Sequence, residues 1–179
     1  MRYGEIIAFW FEELDEKDWW KKSASLDKSI MTRFGALHEQ AASCELYSWR
    51  SEALGRLAEI IVLDQFSRNI HRDSARAFAQ DAQALCLAQG AIVASADCEL
   101  TPVQRSFLYM PYMHSESRAI HEIALQLYKQ NGIQSNLDFE IRHKEIIDRF
   151  GRYPHRNALL GRDSTREEQD FLQQPGSSF

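Results

Sequence analysis

The run LAEIIVL, residues 57–63, is apolar on nearly every side of a helix. A helix of this kind must be covered by other elements on all its faces, so it belongs at the centre of a fold. The remaining segments show the 3.6-residue apolar spacing of helices, and none reads convincingly as a strand. We therefore predict an all-α protein with residues 57–63 at its centre.

Capping signals predict where the helices begin and end. Residues 101–104, TPVQ, combine a threonine N-cap, a proline in the first turn and a glutamine that completes a capping box. Residues 164–167, STRE, predict a second capping box that opens the last short helix. Gly90, Asn131-Gly132 and Gly151 predict helix ends, and Pro111 predicts a kink or break. The other predicted helices are 4–13, 15–22, one capped by Ser25 that carries Ile30, Phe34, Leu37 and Ala41, one capped by Ser51, one opened by Asp81, and 138–150.

About eight helices with short connections predict antiparallel helical hairpins in layers. No linker divides the chain, so we expect residues 1–179 to form a single all-helical domain. A 34-residue repeat is not visible, and periodicity alone therefore does not predict a solenoid.

Composition narrows the function classes. A net charge of −5 argues against a nucleic-acid-binding protein, which needs a dominant basic face. The first apolar run, residues 6–11, is too short for a membrane span or the core of a signal peptide. Cys44, Cys86 and Cys98 are far apart and form no CxxC pair, a pattern typical of a reducing compartment. We expect a cytoplasmic protein with no nucleic-acid or membrane partner.

Familiar catalytic and cofactor motifs are missing from the sequence. It contains no GxSxG, P-loop, GxGxxG, CxxC or HExxH pattern, and His114 and His121 are too far apart along a helix to share one metal ion. We therefore expect neither a metal nor a cofactor. Whether the protein is an enzyme stays open at this point.

Two segments place polar side chains on apolar helical faces. In LDQFSRN, residues 63–69, Asp64 and Arg68 continue the stripe of Leu57 and Ile61 and stand four residues apart, close enough to pair. In FLYMPYMHSE, residues 107–116, His114 falls on the inward face, and Glu116 can polarise a histidine or pair with an arginine. An internal ion pair and a hydrogen-bonded core histidine are the structural alternatives.

The third segment gathers positive charge in an acidic chain. Residues 142–162 contain six Lys or Arg against two acids. His143 shares a helical face with Phe139, Ile146 and Phe150, and helix-end electrostatics explains cations such as Arg149 and Arg152. It does not explain His155, Arg156 and Asn157, whose chemistry suits recognition of a carboxylate or phosphate. Alternative partners inside the protein are Asp64, Glu116 and the terminal carboxylate of Phe179, whose ring can anchor in an apolar groove.

Four blocks carry a resemblance to a known family: LDQFSRNIHR, FLYMPYMHSE, RFGRYPHRNALLGR and the terminal FLQQPGSSF. In their order and over essentially the whole chain, they resemble the bacterial domain-of-unknown-function family 924. The resemblance implies a tetratricopeptide-like α–α superhelix, and it implies no catalytic residue and no cofactor. Members of that family often carry proline in place of Ser67 and phenylalanine in place of Tyr153.

Three hypotheses follow for the polar segments. The first is a pocket for a small anionic ligand, with acid–base catalysis as an option. Its predicted catalytic residues are His114, His155 and Glu116, and its predicted ligand-binding residues are Asp64, Arg68, His143, Arg149, Arg152, Arg156 and Asn157. The second is a helical adaptor that binds a peptide or protein in a groove, an expectation from fold analogy. The third is a buried structural network without a ligand.

Overall fold

The computed structural model describes residues 2–178, and over that range it contains helices and no strands. This confirms the predicted all-α class; the tetratricopeptide-like superhelix remains an interpretation with which the arrangement is compatible. The α-helices are α1 (Tyr3–Ala8), α2 (Ala24–Ala42), α3 (Ala53–Ile61), α4 (Ser67–Ile70), α5 (Asp81–Val93), α6 (Pro102–Met113), α7 (Arg118–Asn131), α8 (Gln134–Phe150) and α9 (Arg166–Leu172). Short 3-10 turns lie at Glu16–Asp18, Tyr47–Ser51, Ala75–Phe78, Ala96–Glu99 and Pro154–Arg156.

Helix α3 is the centre of the core, as its composition predicts. Leu57, Ala58, Ile60 and Ile61 are completely buried, and α1, α5 and α6 all pack against this helix. Its first turn meets the preceding loop so closely that Gly55 faces the backbone carbonyl of Trp49. A second, smaller cluster of buried residues joins Ile146 and Ile147 of α8 to Tyr153.

A π-helical turn, Val62–Phe66, directly joins α3 to α4. All five of its residues are buried. A π turn inserts one residue into the helical register, and such turns are frequent at functional sites. Asp64 lies within it, so its carboxylate is carried into the interior while Arg68 comes out at the protein's edge.

Several predicted helix ends are confirmed. Thr101 caps α6 with a capping box to Gln104, and Gly132 and Gly151 end α7 and α8 in the left-handed conformation. The helices of the carboxyl-terminal half follow one another through short connections, and α6 packs on α7 and α7 on α8.

Other predicted boundaries are wrong. Helix α5 passes through Gly90 to Val93, and the left-handed residue after it is Ser95. Pro111 does not break α6, which continues for two more residues because an isolated missing N–H is tolerated near a helix end.

The remaining errors are smaller. The N-cap residues are Ser23, Glu52 and Thr165 in place of Ser25, Ser51 and Ser164. Phe139 does not share the buried face of His143, since it is 49% exposed. None of the described helices combines the length and the apolar character needed to cross a bilayer.

Candidate functional site

Three segments distant in sequence bring several of the predicted polar residues together at one end of α6. In the first segment, the π turn supplies Asp64 and α4 supplies Arg68. In the second, His114 caps the end of α6. The third segment is the loop after α8, which supplies Tyr153, His155 and Arg156. Asp81, the first residue of α5, joins the two arginines. We refer to Asp64, Arg68, Asp81, His114 and Arg156 as the polar cluster.

Asp64 and His114 form its innermost pair. Nδ1 of His114 lies 2.7 Å from Oδ1 of Asp64, whose residue is completely buried, whereas the His114 side chain keeps 15% of its surface exposed. Asp64 also accepts a hydrogen bond from Gln65 Nε2 at 2.6 Å and lies 3.4 Å from Arg68 Nη1. The carboxylate therefore orients a histidine ring that reaches the protein surface.

Electrostatics determines the charge state of this pair. Burial alone would raise the pKa of the Asp64 carboxyl, but the neighbouring His114 and Arg68 outweigh burial and hold that pKa well below its usual range. Burial, and after it the charge of Arg68, lower the pKa of His114 against the opposing pull of Asp64. At neutral pH the ring is then uncharged, with its proton on Nδ1 facing the carboxylate. Nε2 carries the free lone pair of a general base.

Asp81 links the two arginines of the cluster. It accepts hydrogen bonds from Nη1 and Nη2 of Arg68 at 2.9 and 3.1 Å, and from Nη1 of Arg156 at 3.1 Å. The guanidinium of Arg156 contacts two aromatic rings, 4.5 Å from the centroid of Tyr153 and 4.7 Å from that of Phe78. Arg156 is only 6% exposed, and its buried Nε has no hydrogen-bond partner among the described residues.

Two further histidines lie against Tyr153, which is fully buried. The ring of His143 is 5.7 Å and that of His155 is 5.5 Å from the tyrosine ring. Burial, with the charge of Arg156 as a smaller cause, lowers the pKa of His143 to about 3 and that of His155 to about 4. Both rings are therefore uncharged at neutral pH, and the positive charge of the site comes from arginine.

The other predicted residues of this region are engaged in internal pairs. Glu116 binds Arg162 at 2.6 and 2.9 Å and accepts a hydrogen bond from the backbone N–H of Tyr153 at 2.8 Å. Of the two alternatives for Glu116, the structure therefore shows the arginine pair. Asn157 accepts a hydrogen bond from Arg162 Nε and donates one to the Ser164 hydroxyl, each at 3.0 Å.

Arg149 and Arg152 are directed towards α9 instead of the polar cluster. Arg149 binds Glu167 at 2.9 Å, and Arg152 binds Glu168 at 2.6 and 2.8 Å. Within residues 2–178, no hydrogen bond or ion pair joins either arginine to the polar cluster. Their predicted convergence with His114 is therefore not what the structure shows. The proposed partner Phe179 lies outside the described residues.

Sequence reasoning missed a buried network behind the site. Nδ1 of His121 lies 2.7 Å from Glu140, and Nε2 lies 2.9 Å from the carbonyl of Ser115 and 3.2 Å from the Tyr153 hydroxyl. Burial raises the pKa of Glu140 despite its hydrogen bond to His121. The helical spacing of Glu140 and His143, three residues apart on α8, is the signal that could have found it.

Asp81 was also missed as a site residue, since its position at the start of a helix already accounts for an aspartate there. Among residues 2–178, no group of three or more His, Cys, Asp or Glu side chains is arranged to hold a metal ion.

Comparison with known proteins places the chain in a family. The family model described as a bacterial protein of unknown function (DUF924) matches residues 6–176. A solved structure of a protein of unknown function, ATU0120 from Agrobacterium tumefaciens, is 35% identical and superposes with a TM-score of 0.91 over 96% of each chain. No curated protein matches the sequence. The chain belongs to the bacterial family of unknown function DUF924.

Proposed function

We propose that the protein binds a small anionic molecule, a phosphate or a carboxylate, beside Asp64 and His114, and that His114 exchanges a proton with it. The observation that carries the proposal is the 2.7 Å contact between a fully buried carboxylate and a histidine ring that reaches the surface. A base held by a buried carboxylate is the arrangement found in many acid–base catalysts. Two more of the residues predicted for this pocket, His143 and His155, pack against Tyr153 beside the polar cluster.

Two arginines beside the pair supply hydrogen-bond donors for an anion. Arg68 contacts Asp64, and Arg156 joins Arg68 through Asp81. Guanidinium groups recognise carboxylate and phosphate oxygens through paired hydrogen bonds. The neighbouring histidines are uncharged, and the charges of Arg68 and Arg156 balance those of Asp64 and Asp81. Uptake of a proton by His114 would therefore leave a net positive charge that stabilises a bound anion.

The competing explanation is a buried network that serves stability alone. Ion pairs such as Arg152 with Glu168 and Arg162 with Glu116 fit that explanation well, since each satisfies its own members. The polar cluster differs in two respects. His114 is accessible to solvent, and Arg156 is buried with an unused donor. An unsatisfied buried donor costs stability, and such costs concentrate where a ligand completes the site.

The test combines binding and turnover. Thermal-shift measurements on the wild type would screen carboxylates, phosphates and nucleotides against sodium chloride of equal ionic strength. Each ligand that raises the melting temperature would then be incubated with the protein and followed by proton NMR. His114→Gln should retain binding and lose turnover, and Arg156→Lys should weaken binding. His71→Gln is the matched control, because His71 lies outside the polar cluster with its ring against His38.

The expected result is a ligand whose binding depends on Arg156 and whose conversion depends on His114 but not on His71. Turnover unchanged in His114→Gln would refute the catalytic role. Absence of any anion-dependent shift in the wild type, at concentrations up to tens of millimolar, would refute the binding site and leave the structural network as the explanation.

A second candidate function, binding of a peptide or protein, draws on one observation. A shallow groove of about 300 Å³ lies between α8 and the carboxyl-terminal segment, and it combines an arginine with an aromatic side chain. It is lined by Arg142, Glu145, Ile146, Phe171, Pro175 and Gly176. Peptides selected from a random library on the wild type should bind Arg142→Glu more weakly and bind Lys129→Glu, on exposed α7 surface, unchanged. Equal binding to both variants would exclude this groove.

A further inference from the structure

Asp81 occupies an unusual position among the acids of this protein. Its carboxylate bonds two arginines at once, with two contacts to Arg68 and one to Arg156. In the other arginine–carboxylate ion pairs of residues 2–178, a carboxylate serves a single arginine, as in Asp27 with Arg72 and Glu168 with Arg152. Two guanidinium groups that converge on one carboxylate form a cradle of hydrogen-bond donors, which we call the arginine cradle.

Arg68 and Arg156, which form the arginine cradle, are held in place by more contacts than Asp81, which lies in it. Phe78 and Tyr153 both pack against the Arg156 guanidinium, and Arg68 also donates to the backbone carbonyl of Asp64 at 2.8 Å. The Asp81 side chain, in contrast, is 18% exposed at the first position of α5. It can therefore swing into solvent by rotation of its own side chain without movement of the helix.

The two arginines also repel each other, and Asp81 compensates for this. Burial, and after it the charge of Arg68, lower the pKa of Arg156, while Asp81 opposes the shift. Arg156 nonetheless retains a buried Nε with no hydrogen-bond partner in the described part of the chain. A single aspartate thus leaves part of the donor capacity of the cradle unused.

We infer that Asp81 occupies a carboxylate-binding subsite formed by Arg68 and Arg156, and that the natural ligand is a small carboxylate that displaces Asp81 from it. The inference deepens the proposed function and rests on it for the identity of the site. Arg68 Nη1 lies 2.9 Å from Asp81 and 3.4 Å from Asp64. A ligand carboxylate in the place of Asp81 is then one guanidinium away from the Asp64–His114 pair, so the ligand's second reactive group would extend toward His114.

The need to displace Asp81 also weakens ligand binding to the wild type. Each ligand carboxylate must compete with a tethered carboxylate that is always present at the site, which lowers the apparent affinity of the wild type. Removal of the Asp81 side chain should therefore create a vacancy that a free carboxylate fills, and wild-type protein should respond much less to the same compound.

The experiment measures chemical rescue of Asp81→Ala by acetate. Melting temperatures would be recorded in 100 mM sodium acetate and in 100 mM sodium chloride, with acetamide as the uncharged analogue and phosphate as the other anion. For a dissociation constant of about 10 mM, acetate should raise the melting temperature of Asp81→Ala by about 4 °C over chloride. Asp27→Ala is the matched control, because Asp27 has a similar exposure of 16% but binds a single arginine.

The expected pattern is a shift for Asp81→Ala with acetate, little shift with acetamide, and a shift for Asp27→Ala and the wild type of less than about 1 °C. Arg156→Lys in the Asp81→Ala background should abolish the shift, because lysine lacks the planar fork. If Asp81→Ala does not fold in chloride, recovery of the helical circular dichroism signal on refolding in acetate is the equivalent measurement.

Three outcomes would overturn the inference: no acetate effect on Asp81→Ala, an equal effect on Asp27→Ala, or a larger effect of phosphate than of acetate. None of them depends on His114. Failure of the carboxylate subsite is therefore distinguishable from failure of the proposed function, which the turnover of His114→Gln tests separately.

Discussion

Substitution of His143 should remove a defined part of the protein's acid sensitivity. Its ring lies buried beside Tyr153, and Nδ1 donates a hydrogen bond to the carbonyl of Phe139 at 2.8 Å. Burial lowers its pKa to about 3 in the folded protein, whereas an unfolded histidine has a pKa of about 6.5. As the pH falls below 6.5, the unfolded chain takes up the proton first. The contribution of His143 to stability is therefore complete above pH 6.5 and is lost as the pH falls towards 3.

The size of the effect follows from the two pKa values. Between pH 7.5 and pH 5, an unfolded histidine becomes almost fully protonated, while His143 in the folded state stays neutral. Proton linkage at one site then lowers the free energy of unfolding by about 2 kcal/mol over this interval. Because the folded pKa is so far below 5, the size of this change depends mainly on the pKa of the unfolded histidine. His155 acts in the same direction, since its pKa is lowered to about 4.

Urea unfolding of the wild type and of His143→Gln at pH 7.5, 6.5, 5.5 and 5.0 measures this contribution. The variant should be less stable than the wild type at pH 7.5, and the difference should shrink by about 2 kcal/mol by pH 5. Ile146→Val, on the same helix and also buried, should lose stability by an amount that does not change with pH. A difference between wild type and His143→Gln that is constant over this range would show that His143 takes up its proton in the folded state, contrary to the reasoning.

Two other predictions concern packing and the loop that carries Arg156. Gly55→Ala should destabilise the protein by about 3 kcal/mol, because an added Cβ would lie 2.1 Å from the carbonyl oxygen of Trp49. Gly90→Ala, inside α5, should instead stabilise it by about 0.5–1 kcal/mol, because its added Cβ meets nothing within 4 Å. Equal effects of the two substitutions in urea unfolding would contradict the close approach at Gly55. Tyr153→Phe should lower the free energy of unfolding by about 1–3 kcal/mol, since the hydroxyl donates to the buried carbonyl of Met113 at 2.5 Å. The contact of the ring with the Arg156 guanidinium should remain intact. An unchanged melting temperature would refute the role of that hydroxyl.

Some helix ends could be predicted from sequence signals that act within one turn. The capping box at Thr101 and the left-handed glycines 132 and 151 involve neighbouring residues only, and the structure confirms them. The predicted helix end at Gly90 is wrong, because a glycine inside a helix lowers stability by only about 1 kcal/mol. Packing of α5 against α3 and α6 readily offsets that amount. At residue 165, two adjacent candidates for the N-cap both satisfy the pattern, and the sequence offers no means to choose between them.

Pattern breaks also identified most of the polar cluster. Asp64, Arg68 and His114 are polar residues on apolar faces, and all three meet at the site. The π turn explains why the simple helical wheel was only partly adequate, since it shifts the register between Asp64 and the preceding turns of α3. Asp81 carried no such signal, because an acid at the start of a helix is ordinary.

The sequence by itself determined the all-α class, the central position of residues 57–63 and the charge surplus of the segment before α9, because these depend on composition and on spacing within a helix. Only the tertiary structure decided which acid each arginine meets: Glu168 for Arg152, Glu116 for Arg162, and Asp81 for Arg156, 75 residues away. The physical reason is that ion pairs form between whichever opposite charges packing brings within about 4 Å, and sequence separation does not constrain that distance. The same packing left His114 at the surface over a buried carboxylate, and this makes the polar cluster a candidate site.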